Sequence, residues 1–111
     1  MKDLFNMMGK MREMETALRE AQEALGTIVV SAEAGGGMVK ATVNGKKQVL
    51  KIEVDNDLIN PNDKEMMQDL IVAALNKALN DAEEQGKKFL QSKTKDFLPN
   101  VPGMDLGNFM A

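Results

Sequence analysis

Apolar positions in the first 25 residues follow a heptad order. Leu4, Met11, Leu18 and Leu25 fall seven apart, and Met7, Met14 and Ala21 follow the first three of them by three residues. Glu, Lys and Arg fill the positions between, so the spacing predicts an amphipathic helix from about Lys2 to Leu25 with a narrow a/d seam. Gly9 interrupts it, and Gly26 stands where a helix C-terminal glycine belongs. A seam this narrow calls for a partner helix, from the same chain, from a second copy or from a foreign protein.

The period then changes from seven to two. Thr27 to Ala34 alternates Ile28, Val30 and Ala32 with Val29, Ser31 and Glu33, which predicts a strand. Gly35-Gly36-Gly37 is a turn. Met38 to Asn44 carries Val39, Ala41 and Val43 on one face and Lys40 and Thr42 on the other. Asn44-Gly45 predicts a tight hairpin, because both residue types tolerate positive φ. A third strand follows over Lys47 to Asp55, with Leu50, Ile52 and Val54 facing one way and Lys51 and Glu53 the other.

Asp55 to Pro61 reads as a loop, Asn60 as an N-cap, and Pro61 as the first turn of a second helix. Asp63 and Glu65 stand near its positive dipole end. Met67, Leu70, Ile71, Ala74, Leu75, Ala78, Leu79 and Ala82 form a broad stripe suited to covering a sheet, and the pattern continues to about Leu90. Residues 1–95 are read as one α+β domain of order α-β-β-β-α: a three-stranded antiparallel meander flanked by two long helices. Residues 96–111, with Pro99 and Pro102 and no helical period, are read as a flexible tail. The residues expected to build the core or dimer contact are Leu50, Ile52, Val54, Leu70, Ile71, Ala74, Leu75 and Ala78.

Composition narrows the chemistry. The 111 residues suit one domain, with a thin margin for a buried core that oligomerisation commonly supplements. Cysteine and histidine are absent, which removes thiolate nucleophiles, the commonest general base and the commonest transition-metal ligands. No cofactor, metal or catalytic residue is expected. No apolar run approaches the ~18 residues that span a bilayer, and charges interrupt the N-terminal stretch, so a soluble cytoplasmic protein is expected. The formal charge is −3, from 14 basic and 17 acidic residues, so contact with nucleic acid requires the cations to be segregated. Without Trp or Tyr, and with four Phe outside the expected sheet, the chain lacks platforms for stacking single-stranded bases.

Individual motifs mostly favour plain readings. The glycine triplet leads into a strand rather than a helix and lacks a following Gly-Lys-Ser/Thr, so it is a turn and not a phosphate cradle. Asp55 and Asp57 are loop acids with no converging catalytic group. Met7, Met11 and Met14 lie on the seam, which favours packing. Arg12 and Arg19 share a helix face, but Glu15 and Glu23 stand four residues either side of Arg19, and Glu83 and Glu84 stand four before Lys87 and Lys88. Lys93 and Lys95 have no acid nearer than Asp96, which makes them the best short phosphate-contacting segment.

Three stretches together resemble the YbaB/EbfC family of small bacterial nucleoid-associated proteins: residues 35–45 (GGGMVKATVNG), residues 52–55 (IEVD) and residues 63–78 (DKEMMQDLIVAALNKA). The Met-rich first helix and Pro102-Gly103-Met104 add to the likeness. The resemblance implies a tweezer-like homodimer with helices projecting from a shared core. It implies binding of double-stranded DNA without catalysis, and roles in nucleoid organisation, regulation or recombination and repair. It directs attention to the projecting helices, where the candidate DNA contacts are Lys10, Arg12, Arg19, Lys87, Lys88, Lys93 and Lys95. With no recognisable reading helix, weak sequence selectivity is expected. The alternative is an adaptor whose N-terminal heptad helix docks a protein partner without direct DNA binding.

Overall fold

A computed structural model describes residues 2–94. It contains helix α1 (Lys2–Ala24), strands β1 (Val29–Ala34), β2 (Val39–Asn44) and β3 (Val49–Val54), and helix α2 (Lys64–Thr94), with short 3-10 turns at Leu25–Thr27, Asn56–Leu58 and Pro61–Asp63. The segment read as a tail, 96–111, lies outside the described residues, as does Lys95.

The sheet is an antiparallel meander of order β1-β2-β3. Helix α2 packs on β1 and β2, and β3 lies to the side. Val39, Ala41 and Val43 of the central strand and Ala74, Ala78 and Ala82 of α2 are all fully buried. The alanines recur every four residues, and their small side chains let the helix backbone sit close to the sheet. Val30 and Ala32 complete the layer. Leu58, from the segment read as a loop, is the largest fully buried side chain. Period-based reading misses it because a lone leucine in a 3-10 turn has no period.

Helix α2 begins much as its cap residues predict. The Asn60 Oδ1 accepts from the Asn62 N–H at 3.0 Å, and Pro61 opens a 3-10 turn that passes directly into the helix at Lys64. At its far end α2 continues to Thr94, one turn beyond the Leu90 expected from the apolar stripe.

The β2–β3 hairpin departs from the expected two-residue form. Lys47 N–H donates to the Asn44 carbonyl (2.9 Å) and Asn44 N–H to the Gln48 carbonyl (3.0 Å), so the loop is Gly45-Lys46-Lys47. Lys47, not Asn44 or Gly45, carries the positive φ, at 64°. This is a three-residue loop with its left-handed residue last. Gly45 is required for another reason: an added Cβ would sit 2.5 Å from the Leu25 carbonyl oxygen. The Asn44 side chain is buried and completes the turn. Its Oδ1 accepts from the N–H groups of Lys46 (2.9 Å) and Gln48 (3.0 Å), and its Nδ2 donates to Gln48 Oε1 (2.7 Å).

The heptad seam divides between two environments. Ala21 is buried and Met14, Leu18 and Leu25 are half-buried, where α1 packs on α2 of the same chain. Leu4, Met7 and Met11 are exposed, together with Phe5 and Met8. Length explains the division. Helix α1 is about 34 Å long, whereas the described part of α2 continues about 12 Å beyond Gly86, which lies beside Leu25. The N-terminal half of α1 therefore overhangs its partner helix. The molecule is 73 Å long and 15 Å thin.

Candidate nucleic-acid interface

The end of the sheet at the β2–β3 hairpin is where both helices leave the core. The Gly45 N–H donates to the carbonyls of Leu25 (3.0 Å) and Ile28 (2.9 Å), which joins the hairpin to the end of α1. A Cβ on Gly86 would sit 3.5 Å from Leu25 Cδ2 and 3.7 Å from the Gly45 carbonyl, so α2 passes the same junction. Lys47 Nζ reaches Glu83 Oε1 at 3.6 Å. From this root α1 and the end of α2 run outward side by side as an arm.

Six of the seven candidate cations lie on that arm. Lys10, Arg12 and Arg19 are exposed on α1; Lys87 is half-buried and Lys88 and Lys93 exposed on α2. Helical geometry separates them. Arg12 and Arg19, seven residues apart, share one flank about 10 Å apart along the axis. Lys10, two residues before Arg12, is turned by roughly 200° and stands on the opposite side of α1. Lys93 Nζ lies 5.5 Å from the centre of the Phe89 ring, in cation–π range.

The ion pairs differ from those suggested by spacing. Lys88 does pair with Glu84, at 3.5 Å. Glu83, however, turns to Lys47 on the hairpin instead of to Lys87. Among the described residues Arg19 forms no ion pair with Glu15 or Glu23, and Lys10, Arg12 and Lys87 form none either. Exposed i,i+4 pairs gain only about 0.3–0.5 kcal/mol, so spacing alone does not dictate which of them form. The arm's cations are consequently less neutralised than the sequence spacing suggests.

The expected packing residues also separate. Ala74 and Ala78 are buried between α2 and the sheet, and Val54, Leu70, Ile71 and Leu75 are half-buried. Leu50 and Ile52 are 52% and 36% exposed, and Val49 is 49% exposed. Ile52 stands opposite Ala41, Val54 opposite Val39 and Val49 opposite Val43, so these residues project from the face that α2 covers elsewhere. Because α2 lies over β1 and β2, it leaves this part of the face open. Leu50 is the extra residue of a bulge opposite Thr42 and Val43. Leu75 and Leu79 stand in one i,i+4 row with Glu83, whose contact with Lys47 turns that row toward the start of β3. Val72, 57% exposed, flanks the row. An apolar groove thus runs between β3 and this flank of α2.

A lysine pair at the hairpin tip, Lys46 and Lys47, escaped the motif reading. The available signal was Lys-Lys directly after Asn-Gly. The sequence does not show that this turn lies at the root of the arm.

A sequence model of the YbaB/EbfC DNA-binding family matches residues 1–97. The chain is 40% identical over 99 residues to a protein of Alkaliphilus metalliredigens named Nucleoid-associated protein, covering 89% of this chain and 85% of the relative. It is 36% identical over 109 residues to Nucleoid-associated protein Atu0095 of Agrobacterium fabrum, covering 96% and 98%. Among solved structures it is similar to the uncharacterized protein HP0035 from Helicobacter pylori, with a TM-score of 0.68 and 27% identity over 78% of this chain and 90% of that one. The chain belongs to the YbaB/EbfC DNA-binding family.

Proposed function

We propose that this protein is a non-enzymatic, nucleoid-associated protein of the cytoplasm that binds double-stranded DNA as a homodimer with weak sequence selectivity. Nucleoid organisation, gene regulation and recombination or repair are the processes such binding would serve. The observation that carries the reading is the projecting arm, with Lys10, Arg12, Arg19 and Lys87 free of ion pairs among the described residues. Four cations per chain become eight in a dimer. If all contact phosphate, log affinity falls against log salt with a slope of about −7. Contacts from only half of them give roughly −3 to −4. Such binding is backbone-directed and carries little sequence information.

The dimer core in this reading is the open groove. Val49, Leu50 and Ile52 of one protomer meet the same residues of its partner, with Val72, Leu75 and Leu79 alongside. The bulge at Leu50 and the charged Lys51 and Glu53 discourage extension of the sheet at the β3 edge, so pairing through the face is favoured. The test combines two measurements: light scattering for mass, and fluorescence anisotropy of a labelled duplex between ~50 and ~200 mM salt, where six or more phosphate contacts cost about 10³-fold or more in affinity. Arg12→Gln with Arg19→Gln lowers the slope magnitude by up to about 3.6 per dimer, from two residues in each of two copies. A monomeric protein, or a duplex affinity indifferent to salt, rules the reading out.

A second reading has its own support. Leu4, Phe5, Met7, Met8 and Met11 are all exposed on the overhanging half of α1, an adaptable apolar surface suited to a protein partner. An adaptor of this kind binds its partner through α1 and shows no salt-sensitive DNA affinity.

A further inference from the structure

The hairpin tip at the root of the arm holds two consecutive cations that belong to neither helix. We infer that Lys46 is a phosphate contact at the base of the DNA-binding arm, and that Glu83 limits the strength of that contact by holding Lys47. The inference rests on the DNA-binding reading above.

The structural argument begins with rigidity. The backbone of this loop is fixed from three sides. The buried Asn44 side chain accepts from the Lys46 and Gln48 N–H groups, Gly45 N–H is shared between the Leu25 and Ile28 carbonyls, and Lys47 N–H donates to the Asn44 carbonyl. A side chain on such a base is ordered at lower entropy cost than one on a mobile loop.

Direction comes next. The Lys46 side chain lies along Gly26, where an added Cβ would sit 3.5 Å from its Cε and 3.9 Å from its Nζ. The ammonium therefore stands at the C-terminal end of α1, whose own last turn contains no basic residue. A cation there meets the negative end of the helix dipole. It has no ion-pair partner among the described residues.

Lys47, unlike Lys46, has an acidic partner. Its Nζ is 3.6 Å from Glu83 Oε1, with both side chains about half exposed, so the carboxylate competes with any phosphate. A duplex lying against the arm and pressed toward the core reaches this tip before it reaches the sheet. Phosphates near the tip would meet one free cation and one held cation per protomer. The candidates Arg19 and Arg12 contact the duplex farther out along α1, Arg12 on the half that overhangs α2.

The test measures the salt slope of duplex binding for the full chain and four variants, by anisotropy, with thermal melts to establish folding. Lys46→Gln is expected to lower the slope magnitude by about 0.9 per contact, or about 1.8 for a dimer, and Lys46→Arg to retain it. Glu83→Gln frees Lys47 and is expected to raise the slope magnitude by up to the same amount. Lys51→Gln, on the outer face of the sheet, serves as a control and leaves it unchanged. An unaltered slope for a folded Lys46→Gln protein overturns the inference, as does equal loss in Lys46→Gln and Lys46→Arg. If the wild type binds no duplex, the DNA-binding reading fails and the inference fails with it. Wild-type binding with an unaltered Lys46→Gln slope removes the inference alone.

Discussion

Replacing Gly45 by alanine tests how the arm is attached to the core. The added Cβ would sit 2.5 Å from the Leu25 carbonyl oxygen and 3.3 Å from Ile28 Cβ. The first contact is with backbone, so no side-chain rotation relieves it. Either the hairpin or the end of α1 has to move. Overpacking of this kind costs about 1–3 kcal/mol. The shift also lengthens the bonds from Gly45 N–H to the Leu25 and Ile28 carbonyls, now 3.0 and 2.9 Å, and loss of one adds about 1 kcal/mol. The expected destabilisation is about 2–4 kcal/mol, which in a domain of this size lowers Tm by roughly 10–25 °C. Urea unfolding followed by circular dichroism measures it, with wild type and variant at the same protein concentration because association shifts apparent stability. A Gly45→Ala protein that melts within about 2 °C of wild type would refute the close approach and the role given to this glycine.

Other substitutions probe the remaining parts of the architecture. A Cβ added at Gly9, in the middle of α1, meets nothing within 4 Å, so Gly9→Ala should stabilise that helix by about 0.5–1 kcal/mol, seen as slower amide exchange over residues 4–14; unchanged protection contradicts it. Leu50→Asp places a charge in the open groove, where the single chain tolerates it and a dimer core does not. Light scattering should show mass shifting to the monomer while the far-ultraviolet circular dichroism spectrum is kept, and a persistent dimer moves the interface elsewhere. Asn44→Ala removes the acceptor of two loop N–H groups in a buried turn and should cost about 1–3 kcal/mol in urea unfolding; a loss under 0.5 kcal/mol shows that the turn closes without it.

Much of this protein was legible in the order of its residues. Strand and helix periods are local properties, so the α-β-β-β-α order, the inward set Val39, Ala41 and Val43, and the alanine row of α2 could be read directly. Family likeness could be read too, because the glycine triplet, the Asn-Gly turn and the start of α2 together have a specific order and spacing along the chain. Tertiary structure decided the features that depend on relative lengths and on meetings between distant residues. Among the described residues the first half of the α1 seam has no cover from α2, and no heptad count contains where the partner helix lies. Leu50 and Ile52 share their strand's apolar face with Val54 but stay uncovered, because α2 settles over β1 and β2. Glu83 pairs across to the hairpin at Lys47, since a weak helical pair yields to whatever cation the fold brings near. Gly45 owes its place to the carbonyl of Leu25, twenty residues earlier in the chain. Periodicity records what each segment would bury; only packing fixes how much of it finds cover.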